Sequence, residues 1–443
     1  MSLSDRLKQK KDLPAVHQIS QAAKTAQTPE TMQVTFFQDA KFRIHQTLID
    51  RLDLEALSVL PLDEAKLQVR ELVRKLVAEA KLAMSATHQQ ELIKEIVNET
   101  FGLGPLEPLL ATPTIDEILV NGPRQVYVEQ YGKLSLTNIT FKDDNHLRHV
   151  INRIVATVGR HIDEASPMVD ARLPDGSRVN AIIPPLSLSG SVLSIRRFKR
   201  DPMKMQDLLK LGSVNEKIAE YLQVAVENKL NILISGGTGT GKTTLLNVLS
   251  FFIPNGERII TIEDSAELQL QQQHVVRLET RPPNIEGKGQ VSQRDLLRNS
   301  LRMRPDRIII GEVRSSEALD MLQAMNTGHE GSLTTVHSNS PRDAISRIET
   351  MVLMASSNLP HVAILRQIAN ALHLVIQIKR YVDGSRKISS ITEVVGMEGD
   401  VITMQDIIRF EERGLDERGK VLGSFVLTPV KPRFLDKVLK KMI

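Results

Sequence analysis

A glycine-rich segment in the second half of the 443-residue chain has the residues needed to bind phosphate. It follows the pattern G-x-x-x-x-G-K-[ST] and consists of Gly236, Gly237, Thr238, Gly239, Thr240, Gly241, Lys242 and Thr243, with Thr244 next. Glycines let the backbone curl so that N–H groups point at phosphate oxygens, and a following helix N-terminus adds a favourable dipole. Lys242 can reach the β- and γ-phosphates of ATP, and Thr243 can ligate Mg²⁺. The pattern therefore predicts a nucleotide-binding loop.

The sequence around this loop fits the same interpretation. The apolar run 231–235 predicts a strand that enters the loop, and 244–250 predicts a helix that leaves it. A glycine-rich loop without a ligand is the alternative, and the strand–loop–helix context disfavours it.

An acidic segment follows the next strand-like run, 258–262. It contains Glu263, Asp264 and Glu267. Ligands bind at the carboxyl edge of a parallel sheet, where a carboxylate can orient an attacking water or hold Mg²⁺ through water. We favour Glu267 as the water-orienting group, with Glu263 as the second choice. The non-catalytic alternative is an ordinary acidic helix N-terminus.

A second acid follows the apolar run 307–310. A Walker-B element requires a buried strand that delivers a carboxylate beside Mg²⁺ and its waters. Gly311 replaces the more usual residue here, so Glu312 has the only carboxylate. We predict that Glu312 and Glu263 hold Mg²⁺ through water.

Two histidines lie eight residues apart, at His329 and His337, among glycines and a Thr pair. This spacing fits no standard metal site. We predict that both histidines sense the nucleotide or a neighbouring subunit; a purely structural role is the alternative.

Arginines supply candidate phosphate contacts. Arg196 and Arg197 are adjacent on a predicted strand, so alternation places them on opposite faces and one of them can point at a nucleotide. A solvated strand edge is the alternative. Further candidates are Arg172, Arg178, Arg302, Arg304 and Arg314, followed by the weaker pair Arg277 and Arg281.

The elements that position these residues divide the chain into regions. Residues 1–40 are polar and predicted to be flexible, and 41–100 have helical spacing of apolar residues. Residues 101–200 alternate short strands, turns and a helix, which predicts an α+β domain. A polar linker is predicted at 201–213. Residues 214–443 alternate apolar strands with helices, which indicates an α/β domain with a mainly parallel core sheet.

Composition excludes several classes of protein. The chain has no cysteine, so it has neither disulfides nor cysteine-ligated zinc, which fits the cytosol. No apolar run approaches the roughly 18 residues of a membrane-spanning helix, and the N-terminus lacks the apolar core of a signal peptide.

The net charge of +4 is confined to one segment. Residues 428–443 have five basic side chains and one acidic side chain, so the remaining residues are balanced. A neutral body with 3% aromatic residues and no Trp disfavours a nucleic-acid-translocating motor, the alternative function. The basic tail has the spacing of an amphipathic helix that could face an acidic partner or a membrane surface; a helix packed on its own domain is the plainer alternative.

Four segments together resemble the Walker A, Asp box, atypical Walker B and His box of secretion ATPases, the motors of type II secretion, type IV pili and type IV secretion. They are 236–244, 263–268, 308–314 and 327–341. Longer stretches resemble one branch, the tight-adherence motor CpaF/TadA: 170–180, 278–287, 299–306 and 317–329. Ser315 and Ser316 replace the Gly pair usual in that branch.

The resemblance implies a fold, a reaction and partners. The expected fold is a RecA-like P-loop motor domain preceded by an α+β, PAS-like N-terminal domain and a helical extension. The expected protein is a hexameric Mg²⁺-dependent ATPase in which Lys242 and Thr243 bind phosphate and Mg²⁺, Glu267 and Glu312 serve hydrolysis, and Arg197 contacts phosphate. It would act at the cytoplasmic face of the inner membrane, on a platform protein of a Flp-type pilus or related secretion machinery, and touch the membrane only indirectly.

Overall fold

The computed structural model describes most of the chain from residue 60 to residue 433, with gaps at 83, 199–201, 284–287 and 357; before residue 60 it describes only 37, 39–41, 43–48 and 51. The predictions for residues 1–36 and for the tail beyond residue 433 lie outside this part. The chain divides into two compact units, Met1–Arg197 and Phe198–Ile443.

The first unit begins with helices. Leu62–Glu79 and Ala86–Phe101 pack together with the described residues of 37–48 around a small apolar core. The second of these helices is capped by Ser85, whose hydroxyl accepts a hydrogen bond from the N–H of His88 at 3.2 Å. Regular apolar spacing on each helix produces this shared core.

The rest of the first unit is an antiparallel sheet of six strands in the order β3-β2-β1-β6-β5-β4. Their bounds are β1 Ile115–Asn121, β2 Val126–Gln130, β3 Lys133–Leu136, β4 Met168–Arg172, β5 Arg178–Ile182 and β6 Val192–Arg196. The helix Asp144–Ala156 buries Leu147, Ile151 and Ile154 in the same core as the sheet. A short 3₁₀ turn, Gly104–Leu106, and the helix Glu107–Ala111 precede β1.

The second unit is built on nine strands in the order β15-β14-β13-β12-β7-β11-β10-β8-β9. Their bounds are β7 Ile232–Gly236, β8 Ile259–Glu263, β9 Val275–Glu279, β10 Arg307–Ile310, β11 Leu333–His337, β12 Leu374–Arg380, β13 Arg386–Glu398, β14 Val401–Leu415 and β15 Val421–Leu427. The helices are Met205–Lys210, Glu216–Glu227, Lys242–Ser250, Gln293–Ser300, Glu317–Asn326, Pro341–Ala355 and His361–Ala371. None of the described helices is long and apolar enough to cross a bilayer.

Strands β12, β7, β11, β10, β8 and β9 run parallel to one another. Every residue of β7, β8 and β10 is buried, because helices cover both faces and an apolar core lies on each side. The α/β fold class predicted from sequence is therefore confirmed. The carboxyl ends of these strands meet at one edge of the sheet.

Two features differ from the sequence predictions. Part of the predicted linker 201–213 is the helix Met205–Lys210, whose Met205 and Leu208 are buried in the core of the second unit. The segment is mostly polar, but its apolar residues Met205 and Leu208 are three residues apart and therefore lie on one face of a short helix. The parallel sheet also continues into the antiparallel strands β13–β15, which the sequence interpretation of 214–443 did not include.

Candidate nucleotide site

The glycine-rich loop joins β7 to the helix Lys242–Ser250, as the sequence predicts. Gly239 and Gly241 have φ angles of 69° and 97°, which favour glycine. A Cβ on Gly236 would lie 2.6 Å from Oγ1 of Thr240, so backbone and side chain approach too closely for a larger residue. Thr240 in turn donates a hydrogen bond to the carbonyl of Gly237 at 2.9 Å. The loop is thus curled and internally braced; Thr238 is exposed on it.

Lys242 is the first residue of the helix and is 7% exposed. Its Nζ donates to the carbonyl of Gly237 at 3.0 Å and lies 3.3 Å from both ring nitrogens of His337. Burial lowers the pKa of Lys242, and the nearby charge of Glu312 opposes that shift. Thr243 and Thr244 follow in the first turn and are half-buried.

Glu312 connects several charged groups at this edge. Its Oε1 lies 2.8 Å from Nε2 of His337, and its Oε2 accepts from Nη2 of Arg314 at 2.6 Å. Arg314 also lies 3.2 Å from Asp264. Burial and the charge of Lys242 lower the pKa of His337. A neutral imidazole is thereby favoured, and it can accept a hydrogen bond from the ammonium of Lys242.

Glu263 is the last residue of β8 and is 3% exposed. Its Oε2 accepts hydrogen bonds from the backbone N–H groups of Glu267 and Leu268, at 2.7 and 2.9 Å. Burial raises the pKa of Glu263 to about 7. Glu267 itself is half-buried. The buried carboxylate therefore shapes the loop that carries the other candidate, and both remain candidates for orienting water.

The oxygen donors at this edge fit Mg²⁺. Oε1 of Glu263 is buried and has no hydrogen-bond partner within the part of the chain that the structure describes, whereas Oε1 of Glu312 is buried against Nε2 of His337. Gly311 has no side chain between them, and a Cβ there would lie 3.1 Å from Cγ of Glu263. Carboxylates and the hydroxyl of Thr243 are hard oxygen ligands of the kind that Mg²⁺ prefers.

His329 is placed elsewhere. It precedes β11, whereas His337 ends that strand, so the two histidines lie at opposite ends of β11. The carbonyl of His329 accepts from Ser332 Oγ at 2.8 Å, a contact within its own loop. Within the second unit, the structure therefore brings His337 but not His329 to the phosphate loop. The eight residues from His329 to His337 consist of the loop before β11 and β11 itself.

Arg196 and Arg197 belong to the first unit, and the phosphate loop belongs to the second. Arg196 ends β6, opposite Glu117 on β1 and Arg178 on β5. Arg197 donates from its guanidinium to the carbonyl of Thr112. Their contact with a nucleotide stays a prediction. In the second unit, Arg302 and Arg304 lie before β10, at its amino end, away from the carboxyl edge.

The sequence interpretation missed a polar depression beside His337. Its volume is about 510 Å³, and it is lined by Arg314, His337, Asp343, Ser346 and Arg347, among others. Asp343, Ser346, Arg347 and Thr350 share one face of the helix Pro341–Ala355. The polar positions i, i+3, i+4 and i+7 in a helix that begins just after His337 are the signal that could have revealed this depression.

Comparison with known proteins is consistent with these observations. A family model described as type II/IV secretion system protein matches residues 99–417. A putative conjugal transfer protein of Mycobacterium tuberculosis is 36% identical over 340 residues, which cover 75% of this chain and 96% of that protein. The type IV secretion system protein PtlH of Bordetella pertussis is 34% identical over 307 residues, or 63% of this chain and 90% of PtlH.

Among solved structures, the VirB11 ATPase of the Brucella suis type IV secretion system, in complex with sulphate, is 30% identical. The match covers 66% of this chain and 97% of that chain, with a TM-score of 0.36. The family model spans well over half of the sequence. The chain therefore belongs to the type II/IV secretion system protein family.

Proposed function

We propose that this protein is a Mg²⁺-dependent ATPase that hydrolyses ATP to ADP and phosphate. The observation that carries the proposal is the convergence of four side chains at one sheet edge. Lys242 follows β7, Glu263 ends β8, Glu312 follows β10 and His337 ends β11. Lys242 contacts His337, His337 contacts Glu312, and Glu263 ends the strand next to the one that Glu312 follows.

Each of these groups has a role in the proposed reaction. The backbone N–H groups of the loop and Lys242 bind the phosphates. Thr243, with Glu263 and Glu312 through water, would hold Mg²⁺, which would neutralise charge on the phosphate oxygens when bound. Glu267, or Glu263, orients the attacking water. Burial and the charge of Lys242 favour the neutral form of His337. His337 accepts a hydrogen bond from the ammonium of Lys242 and so senses the nucleotide through Lys242.

We further propose that the second unit is a RecA-like motor domain and that the first unit contains a PAS-like domain whose Arg197, and also Arg196, contact phosphate in a hexamer. Hydrolysis would then power assembly, and potentially retraction, of a tight-adherence (Flp) pilus or related secretion machinery at the inner membrane. Names of relatives in conjugal transfer and type IV secretion support the machinery class. The CpaF/TadA branch rests on the four longer stretches of sequence.

The active-site assignment is tested by replacing Lys242. Purified full-length protein with Lys242→Ala is expected to lose Mg²⁺-dependent phosphate release and ATP binding, because the loop loses its only side-chain cation. Lys217→Ala is the matched control, since Lys217 is exposed on the helix Glu216–Glu227, and it is expected to hydrolyse ATP at the wild-type rate. Wild-type turnover by Lys242→Ala would show that the site is assigned wrongly.

A further inference from the structure

Two arginines lie on the side of the phosphate loop opposite His337. In the sheet, β7 has β11 on one side and β12 on the other. Arg380 ends β12, and Arg386, its cross-strand partner, begins β13. A Cβ on Gly239 would lie 4.0 Å from Nη1 of Arg380, and a Cβ on Gly241 would lie 3.7 Å from Cδ of Arg386. Both side chains are therefore beside the loop.

The rest of this hairpin is cationic as well, but its lysines have partners. Lys379 and Lys387 are also paired across the two strands. Nζ of Lys387 donates to the carbonyl of Gly212 at 3.0 Å, and Nζ of Lys379 lies 5.0 Å from the ring centre of Tyr381. Since neighbouring strand residues point to opposite faces, the lysines occupy one face and the two arginines the other.

Within the described part of the chain, neither Arg380 nor Arg386 forms an ion pair or a side-chain hydrogen bond. The nearest carboxylate in sequence, Asp383, accepts from Ser385 and from the N–H of Val421 instead. Like charges placed directly opposite on antiparallel strands destabilise the pair. An anion bound between the two guanidinium groups would offset that repulsion.

We propose that Arg380 and Arg386 bind the phosphates that ATP and ADP have in common, from the β12 side of the loop. This inference rests on the proposed ATPase function. The carboxylates Glu263 and Glu312 lie at the carboxyl ends of β8 and β10, beyond β11, so hydrolysis takes place on that side, whereas the two arginines lie beside the loop on the β12 side. Guanidinium groups bind phosphate oxygens with two parallel hydrogen bonds. The pair therefore contributes to nucleotide affinity and not to the chemical step.

The test measures binding of Mg²⁺–ADP by calorimetry and ATP hydrolysis by phosphate release, with the full chain. Arg380→Gln and Arg386→Gln are each expected to raise the Kd for ADP and the KM for ATP about tenfold, as expected for loss of a charged hydrogen bond. The value of kcat at saturating ATP is expected to fall much less than KM rises. Arg366→Gln, at an exposed position on the helix His361–Ala371, is the matched control and is expected to leave both constants unchanged.

Thermal unfolding separates this role from a structural one. Without nucleotide, the arginine variants are expected to unfold at or above the wild-type temperature, because a like-charge contact has been removed. With saturating ADP, they are expected to gain less stability than the wild type. A lower unfolding temperature without nucleotide, together with an unchanged Kd, would overturn the proposal.

Failure of this inference can be distinguished from failure of the proposed function. If Lys242→Ala loses ADP binding while the Arg380→Gln/Arg386→Gln double variant binds like the wild type, only the arginine assignment is overturned. If neither variant changes ADP binding, the nucleotide site itself is wrong. A fall in kcat with unchanged KM would place the arginines in the chemical step and would also overturn the proposal.

Discussion

Oε2 of the buried Glu263 accepts a hydrogen bond from the backbone N–H of Glu267 at 2.7 Å. A second bond, from Leu268 at 2.9 Å, uses the same oxygen. One carboxylate oxygen of Glu263 therefore holds the loop that carries Glu267. The two candidates for orienting water are structurally linked, and their substitutions are expected to have different effects.

Glu267→Gln is expected to bind ATP normally and to hydrolyse it at least about 100-fold more slowly, the usual loss for a missing general base. Binding of a fluorescent ATP analogue and single-turnover phosphate release measure the two effects separately. Glu263→Gln retains an oxygen acceptor for the loop and serves as the comparison. Wild-type hydrolysis by Glu267→Gln would assign the water-orienting role to Glu263 or Glu312.

Gly311→Ala tests the space between the two acidic elements. The added Cβ would lie 3.1 Å from Cγ of Glu263, so the buried carboxylate must move by a few tenths of an ångström. We expect slower hydrolysis, little change in ATP affinity and a stability cost of about 1 kcal/mol. Gly256→Ala is the control, because nothing lies within 4 Å of a Cβ at that position. Equal activity of the two variants would contradict the prediction.

Glu257→Gln is expected to destabilise the second unit by about 3 kcal/mol. Arg307, in β10, is fully buried, and its guanidinium pairs with Glu257 while Nη1 donates to the carbonyl of Val226 at 2.6 Å. Removing the carboxylate charge leaves a buried cation without its counter-charge. Urea denaturation measures the loss. Glu349→Gln, which breaks the more exposed pair with His361, is expected to cost less than about 1 kcal/mol.

The first unit is expected to lose stability as the pH falls from 7 to 4. Burial opposes ionisation of Glu99, but the hydrogen bond with His146 and the charge of Lys41, 3.4 Å away, hold the pKa of Glu99 below its ordinary 4.5. Burial also lowers the pKa of His45 from 6.5, with Glu99 opposing that shift. Both groups stabilise the fold in their high-pH forms, since the unfolded chain binds more protons over this range.

Amide hydrogen exchange in the helix Ala86–Phe101, corrected for the intrinsic pH dependence of exchange, measures this loss of stability. Charged neighbours of the cluster also include Glu95, 3.0 Å from Lys41, and Arg153, which donates to the carbonyl of Glu99 at 2.9 Å. Because Glu99 takes up protons only near and below its ordinary pKa of 4.5, Glu99→Gln is expected to reduce the pH dependence of protection between about pH 5 and 4. Amides of β7, in the other unit, are the internal reference. The same pH dependence in Glu99→Gln as in the wild type would rule out this cluster as the cause.

Sequence patterns located the strands of the site to within one residue. The predicted runs 231–235, 258–262 and 307–310 correspond to β7, β8 and β10, because strands buried on both faces are continuous apolar runs. The antiparallel strands β13–β15 escaped prediction. They have mixed polar and apolar faces, and their pairing is set by register between distant residues, which a local pattern does not reveal.

The part of the candidate site that lies within one continuous motif could be predicted from sequence. The part that depends on which strands are neighbours in the sheet could not. The phosphate loop needs only local geometry, so Lys242 was identified from spacing alone. His329 lies at the other end of β11 from the phosphate loop, because a spacing of eight residues does not state which end of a strand each residue occupies, and its role as a sensor stays a prediction. Arg380 and Arg386 were missed because their proximity to the loop depends on β12 lying next to β7, more than a hundred residues away in sequence.

The order of strands has a consequence for synthesis of the chain on the ribosome. Strand β7 is hydrogen-bonded only to β11 and β12 within the described sheet, and both are made long after it. The glycine-rich loop therefore emerges on a strand without neighbours, and it stays so until residues 333–337 have left the exit tunnel. A nascent chain that stalls before that point has the whole phosphate-loop motif, yet it has no sheet to hold the loop in shape. Nucleotide binding during translation is thus expected to begin only once β11 has been completed.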